Sequence, residues 1–285
     1  MTFFIQVVLN GLVLGSMYAI FTMGLTMIYS ILGIVNFAIG EIYMLGAYFC
    51  WVMIHNVIDN YLLGIIFAII GGLIIGSIVE RLAFRPVYGK PMLNEFIISL
   101  GLVMVFQEGA TFIWTGYPKN LPSPLLDPLQ IGNIAISGQR FLVIGVAIIL
   151  IAGMFLFLQR ARFGRALRAL PGNELAAKLV GIDVPRTTTI GFMIGCALGT
   201  LTGALVGPLL LLFPMMGASI TIKGFIIIIL GGFGSFGGAM LAAYMLGIVE
   251  SLFSGYAFME WTSAVGYLGL VAVLYLRPKG MFGKD

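Results

Sequence analysis

Residues 3–40 contain no charged side chain, and the first lysine or arginine of the 285-residue chain is Arg81. An uncharged, largely apolar run of that length cannot be the wet face of a soluble domain. A membrane-crossing helix needs about 20 such residues. Residues 60–79 and 141–158 are each long enough for one crossing, and 187–222 and 224–249 are also uncharged. Residues 42–58, 92–115 and 261–276 are less uniform but fit. With 60% hydrophobic and 9% charged residues and a mean hydropathy of +1.10, the chain has too few charges to cover a soluble surface. Strands of a transmembrane barrel would alternate in polarity over about 10 residues. These runs are continuous, so the expected fold is all-α: one polytopic bundle over 1–285, with every backbone polar group satisfied inside its helix.

Basic residues mark cytoplasmic loops. Arg81, Arg85 and Lys90 lie in one short loop; Arg160, Arg162, Arg165, Arg168, Lys178 and Arg186 in a longer one; Arg277, Lys279 and Lys284 near the end. Residues 116–140, with Lys119, Arg140, Asp127 and the prolines Pro118, Pro122, Pro124 and Pro128, read as an external loop, as does the HNVIDN stretch at 55–60. Threading the runs through these loops predicts eight or nine crossings, an external N-terminus and a cytoplasmic C-terminus. No cleavable signal pattern is expected, since a basic n-region is lacking and the first apolar stretch is too long.

Gly191, Gly195, Gly199, Gly203 and Gly207 recur every four residues, and Gly11/Gly15 and Gly72/Gly76 are shorter instances. Such stripes let backbones approach in lipid. The reading is tight packing within one subunit or, alternatively, a face that meets a second one. Two segments predict broken helices: Gly33 to Glu41, and Gly231 to Gly238 with Gly232 and Ser235 inside it. Glycine-interrupted apolar segments are where transporter helices unwind beside a solute path. Met44–Tyr48 after the first break resembles Met240–Tyr244 after the second, a hint of internal duplication that chance also produces.

Glu41, Glu95, Glu108, Glu250 and Glu260 lie in or beside the apolar runs. Charges there face protein or water. Glu41 stands at the first break with Asn36, to fix it by hydrogen bonding or to line a polar path. Glu108 is deeper, with no local partner. Glu95 lies at the cytoplasmic end of its run, and Glu250 and Glu260 are expected at solvated outer ends.

The segment 159–187 is the substantial hydrophilic stretch. Asn173 can cap a short helix, with Glu174 at its start. Leu175, Leu179 and Val180 form an apolar strip, with Lys178 a further coupling candidate, Gly181 can end the helix and Pro185 stops its continuation. Such a helix suits docking into a partner protein, whereas the arginines alone could simply anchor topology and bind anionic lipid. There is no GxxxxGK[ST], HExxH or GxSxG motif, so no ATP hydrolysis or other catalysis is expected from this chain. His55 reads as a solvated loop residue, and Cys50 and Cys196 as buried core residues with no metal-ligand spacing.

Taken together, Leu12–Ala19, Gly24–Tyr29, Val35–Glu41, Arg162–Ala169, Asn173–Ile182, Gly231–Ser235 and Leu276–Gly280 resemble the branched-chain amino acid permease family of ABC importers. The resemblance covers essentially the whole chain. It implies the large type II importer fold in the bacterial inner membrane. The implied partners are a second, related permease in a heterodimer, two ATPase subunits carrying ATP and Mg, a periplasmic solute-binding protein and membrane lipid, and no nucleic acid. It assigns coupling to the ATPase to 173–182. Ile39 stands where the family commonly has histidine, and Pro171–Gly172 where alanine and glutamine are usual. The solute therefore stays open among branched-chain amino acids, urea, short amides and small carboxylates. The alternative functions are a self-sufficient channel or ion-coupled carrier, or a membrane scaffold without transport.

Overall fold

The computed structural model describes residues 2–33, 36–123, 128–131, 134–170, 174–179, 181–232, 234–256, 262–277 and 280–282. Its helices are α1 (Thr2–Leu32), α2 (Ile39–Val52), α3 (Tyr61–Val79), α4 (Met92–Trp114), α5 (Gly138–Arg160), α6 (Arg162–Ala169), α7 (Glu174–Leu179), α8 (Val184–Val206), α9 (Met216–Gly231), α10 (Phe236–Tyr256) and α11 (Thr262–Leu276). Six are long and apolar enough to cross a membrane: α1, α3, α4, α5, α8 and α10. Helices α9 and α11 are apolar but shorter, and α2 is extended by a π-helical turn at Met53–Val57. Apart from one small hairpin, the described residues form an all-α membrane protein whose apolar helices overlap the runs read from the sequence, with six long enough to cross a membrane against the eight or nine crossings expected.

A small hairpin, β1 (Pro128–Ile131) antiparallel to β2 (Ile134–Ser137), interrupts the helices within the proline-rich 116–140 segment, with Pro128 opposite Ser137. Proline is tolerated there because it opens its strand. No signal in the sequence reading pointed to this pairing.

Two compact units make up the chain. One comprises 1–23, 122–151 and 222–285; the other comprises 24–121 and 152–221.

In the second unit α8 packs on α2 and α3, and glycines on both sides bring the backbones together. A Cβ at Gly203 would lie 1.9 Å from the Tyr43 carbonyl oxygen. One at Gly195 would meet the Gly24 carbonyl at 2.8 Å. From the facing helices, Gly46 would meet the Thr200 carbonyl at 2.1 Å and Gly72 the Thr200 hydroxyl at 2.2 Å. Close backbone approach is what small residues supply in lipid, where apolar burial between helices gains little. The packing reading of the stripe therefore holds for Gly195 and Gly203. Helix α3 shows which solvent surrounds it: Leu62, Ile66, Ile70, Ile74 and Ile78 are exposed, while Gly64, Ala68, Gly72 and Gly76 are buried. A soluble helix would show the reverse. Cys50 and Cys196 are free and buried, against Gly64 and Gly76. His55 is exposed and stacks on Trp51.

In the first unit α1 meets α10 by the same device. Gly11 faces Gly247 and Ile248, and Gly15 faces Tyr244. The Ser251 hydroxyl donates to the Val7 carbonyl at 2.6 Å, and the Arg140 guanidinium donates to Asn10. Both segments of the suspected duplication follow a helix break, one in α2 and one in α10.

Candidate functional site: two breaks, a buried carboxylate and a cytoplasmic helix

Both predicted breaks exist. Helix α1 ends after Leu32, where Gly33 takes φ +67° and its amide donates to the Tyr29 carbonyl at 2.8 Å. Ile34 and Val35 lie outside the described residues. The chain re-enters helix at Ile39 through Asn36, whose Oδ1 accepts from the Ala38 amide at 2.9 Å, a side chain standing in for a backbone turn. The Phe37 amide donates to Ser99 Oγ at 2.8 Å, tying the break to α4.

Glu41 occupies the first turn of α2, where the helix dipole favours a carboxylate. It is 1% exposed. Its Oε1 accepts from Gln107 Nε2 of α4 at 2.9 Å. Its Oε2 has no hydrogen-bond partner among the described residues, and neither has Asn36 Nδ2, on a residue that is itself fully buried. Gly217 and Thr221 of α9 wall the same place: a Cβ on Gly217 would lie 2.8 Å from Glu41 Oε2, and one on Gly40 1.8 Å from Thr221 Oγ1. A buried acceptor and a buried donor thus lack partners among the described residues where Gly40 and Gly217 bring α2 and α9 close together. Buried polar atoms are nearly always satisfied, so these two atoms are exceptions within the described residues. Asn36 and Glu41 stand out in the sequence at the glycine break, whereas Gln107 and Ser99 do not. The available signal was that uncharged polar residues inside an apolar run must also find partners.

Glu108 does not join Glu41. It is exposed on α4, next in sequence to the glutamine that does. At the second break, α9 ends at Gly231 and α10 begins at Phe236. Gly232 (φ +91°) and Gly234 (φ +79°) take a backbone conformation open to glycine, and Ser235 Oγ accepts from the Gly238 amide at 3.2 Å as a cap for α10. The Met281 amide donates to the Leu230 carbonyl at 2.8 Å, closing the turn from the C-terminal side. Gly232 and Ser235 therefore shape the entry into α10. Phe233 lies outside the described residues.

Glu250 is not at a solvated end. It is 2% exposed and paired with Lys223 at 2.9 Å. The partner comes from α9 and a third group, Tyr18, from α1, and pairings across such distances in sequence leave no local trace. Glu95 is also buried, at 8% exposure, and Glu260 lies outside the described residues. A further carboxylate, Glu80, is fully buried at the end of α3. It accepts a two-pronged bond from Arg85 (3.2 and 3.1 Å), a bond from Thr189 Oγ1 of α8 (2.9 Å) and one from the Tyr88 hydroxyl (3.3 Å). Burial, and then the neighbouring Glu80 carboxylate, hold the Tyr88 phenol above its ordinary pKa, so it stays a donor.

The hydrophilic segment forms two helices. In α6, which the sequence reading did not separate, Gly164 and Leu167 are buried and Arg162, Arg165 and Arg168 exposed. In α7, Ala177 is buried, Lys178 is exposed and Leu179 is 88% exposed. Gly181 (φ +83°) ends α7 as expected: its amide donates to the Lys178 carbonyl at 3.1 Å and the Ile182 amide to the Ala177 carbonyl at 3.0 Å. This paired closure is the Schellman arrangement. Asp183 caps α8 through the Arg186 amide at 3.1 Å, with Pro185 in its first turn. Asn173 and Val180 lie outside the described residues, and Glu174 and Leu175 are placed as α7 backbone.

Residues 7–274 match the family model described as "Branched-chain amino acid transport system / permease component". The chain is 32% identical to the high-affinity branched-chain amino acid transport system permease protein LivH of Salmonella typhimurium, over 99% of this chain and 96% of that protein. It is 31% identical to the permease protein BraD of Pseudomonas aeruginosa, with the same coverage. The fructose import permease protein FruG of Bifidobacterium longum is 27% identical over 89% of this chain and 77% of its own length. In fold the chain is similar to one in the solved structure of PsaBC from Streptococcus pneumoniae in complex with Fab. There the TM-score is 0.54 and the identity 14%, over 95% of this chain and 91% of the other. The match runs from the first helix to the last and is carried by permease proteins, so this multi-pass membrane chain belongs to the branched-chain amino acid ABC transporter permease family.

Proposed function

We propose that this chain is one of two related permease subunits of an importer that carries branched-chain amino acids, or a closely related small polar solute, across the bacterial inner membrane. The whole of 1–285 serves as the permease domain, with a periplasmic N-terminus, a cytoplasmic C-terminus and 159–187 as coupling segment. A periplasmic binding protein delivers the solute, and two ATPase subunits holding ATP and Mg supply the energy. The chain itself is not catalytic.

One observation carries this reading beyond the family. Leu179 is 88% exposed on a short helix outside the long apolar segments. A large apolar side chain on a helix closed at its C-terminal end supports a site made to be covered by a protein groove, the role proposed for 173–182 with Asn173, Glu174, Leu175, Lys178, Leu179 and Gly181. The exposed arginines of α6 suit anionic lipid beside it. Asn36 and Glu41, with buried hydrogen-bonding atoms that lack a partner among the described residues, are proposed as polar contacts along the solute path, and Gly232 and Ser235 of the second break are proposed as further path residues. Glu108 supports the second permease: an ionised side chain facing hydrocarbon costs about 2.5–3.5 kcal/mol even on the mildest insertion scales, so its face of α4 is proposed to meet protein or water.

Co-expression with the genes that flank it, followed by purification on a tag on this chain, tests the assembly. Recovery of an ATPase and a second permease in fixed ratio is expected; a chain that purifies alone under every mild detergent contradicts it.

A further inference from the structure

The first unit carries charges of its own among apolar helices. Lys223 of α9, Glu250 of α10 and Tyr18 of α1 form a closed triangle: the Tyr18 hydroxyl donates to Glu250 Oε2 at 2.6 Å, and Lys223 Nζ donates to the Tyr18 oxygen at 2.7 Å and to Glu250 Oε2 at 2.9 Å. Lys223 also lies over the Tyr18 ring, 5.2 Å from its centroid. Glu250 is 2% exposed, whereas the Lys223 side chain is 23% exposed. An ammonium in the middle of an apolar helix does not face hydrocarbon, so its open side faces water or protein. Two of its three N–H donors are used among the described residues.

On the Glu250 side of this pair, beyond Gly266, lies an open apolar cleft of about 460 Å³ whose walls include Leu246, Val249 and Phe253 of α10 and Leu268, Gly269 and Val273 of α11. That volume is in the range of small-molecule sites. Gly266, also in its wall, lies against the other carboxylate oxygen: a Cβ there would be 3.5 Å from Glu250 Oε1 and 3.3 Å from Leu246.

We propose that Lys223 and Glu250 are a binding site for a zwitterionic α-amino acid with an aliphatic side chain. Lys223 takes the carboxylate and Glu250 the ammonium, Tyr18 bridges the two, and the apolar cleft takes the side chain. Without solute the two charges satisfy each other. A zwitterion exchanges that one ion pair for two and leaves the net charge at zero throughout. A lone anion or cation would leave a buried charge uncompensated, which the low-dielectric interior disfavours strongly. This inference rests on the proposed import of amino acids.

Leucine uptake into proteoliposomes holding the full complex, with binding protein outside and ATP inside, tests it in wild type and in Lys223→Met, Lys223→Arg and Lys223→Met/Glu250→Gln variants. Basal ATP hydrolysis reports assembly. Maximal uptake is expected to fall at least about tenfold in Lys223→Met and to stay low in the double variant, where no charge is left unpaired, while Lys223→Arg retains most of it. A double variant that transports like wild type shows that the pair only neutralises itself and overturns the site. So does a double variant that loses basal hydrolysis, since the pair then serves the fold. A wild-type complex that moves no amino acid overturns the functional reading, and the site with it; a wild-type complex that transports beside a fully active double variant overturns the site alone.

Discussion

At the scale of single residues, glycine and buried polar atoms decide most of what this chain tolerates. A methyl group at Gly203 would sit 1.9 Å from the Tyr43 carbonyl, whereas at Gly199, in the same stripe, its nearest neighbour is Ile39 Cδ1 at 3.4 Å. Gly203→Ala is therefore expected to destabilise the protein by the 1–3 kcal/mol typical of overpacking, at about that order, and Gly199→Ala to be nearly neutral. Thermal unfolding of detergent-solubilised variants checks both, and equal melting temperatures would contradict the packing described here. The four-residue period was visible in the sequence, but which glycine touches a carbonyl depends on how α8 lies against α2. Periodicity does not carry that. At the first break, Gln107→Leu removes the partner of Glu41 Oε1 and leaves a buried carboxylate with neither oxygen bonded. A loss of about 1–3 kcal/mol is expected. Glu41→Gln, which keeps the shape, is expected to fold and to transport poorly; normal uptake would remove Glu41 from the path.

At the scale of elements, the segment from α6 to the start of α8 shows what local chemistry can and cannot announce. Gly181 as a helix end was legible because glycine alone takes a positive φ without strain, and the structure closes α7 there with two backbone bonds. Helix α6 was not separated from its surroundings. Its amphipathic pattern, with Arg162, Arg165 and Arg168 on one face and Gly164 and Leu167 on the other, was present in the sequence, whereas the close approach of Gly164 to the Phe157 carbonyl of α5 was not. The two breaks were legible from their glycines. Their different surroundings, Gln107 and Ser99 of α4 at the first and the Met281 amide on the end of α9 at the second, come from α4 and from the C-terminal segment. Leu179→Asp changes a side chain that is 88% exposed, so folding is expected to be unaffected while solute-stimulated ATP hydrolysis is lost; unchanged stimulation would remove α7 from coupling. The Glu80 cluster joins the end of α3 to α8 shortly after α7. Thr189→Val removes a hydroxyl that donates to Glu80 and accepts from Arg85, and a destabilisation of about 1–3 kcal/mol is expected. A variant with wild-type unfolding would show that Arg85 and Tyr88 suffice.

At the scale of the whole molecule, the apolar helices among the described residues, the long stretches without charge and the inverted surface of α3 require a lipid solvent; the first two were readable from hydropathy, and the third depends on which face of α3 meets α8. The family follows from a match over residues 7–274. The polar constellations were only half legible. Asn36 and Glu41 announce themselves by standing at a glycine break, whereas Lys223, Glu250 and Tyr18 are assembled from three helices far apart in sequence. The central claim is that this chain moves amino acids only as one part of an ATP-driven assembly. The direct measurement is uptake of labelled leucine into proteoliposomes holding the purified complex, with ATP and Mg enclosed or omitted and the membrane potential and proton gradient collapsed. Uptake that needs enclosed ATP and the binding protein, and persists without any ion gradient, is the predicted result. Uptake by this chain alone, driven by an ion gradient and indifferent to ATP, would contradict the account and establish a self-sufficient carrier instead.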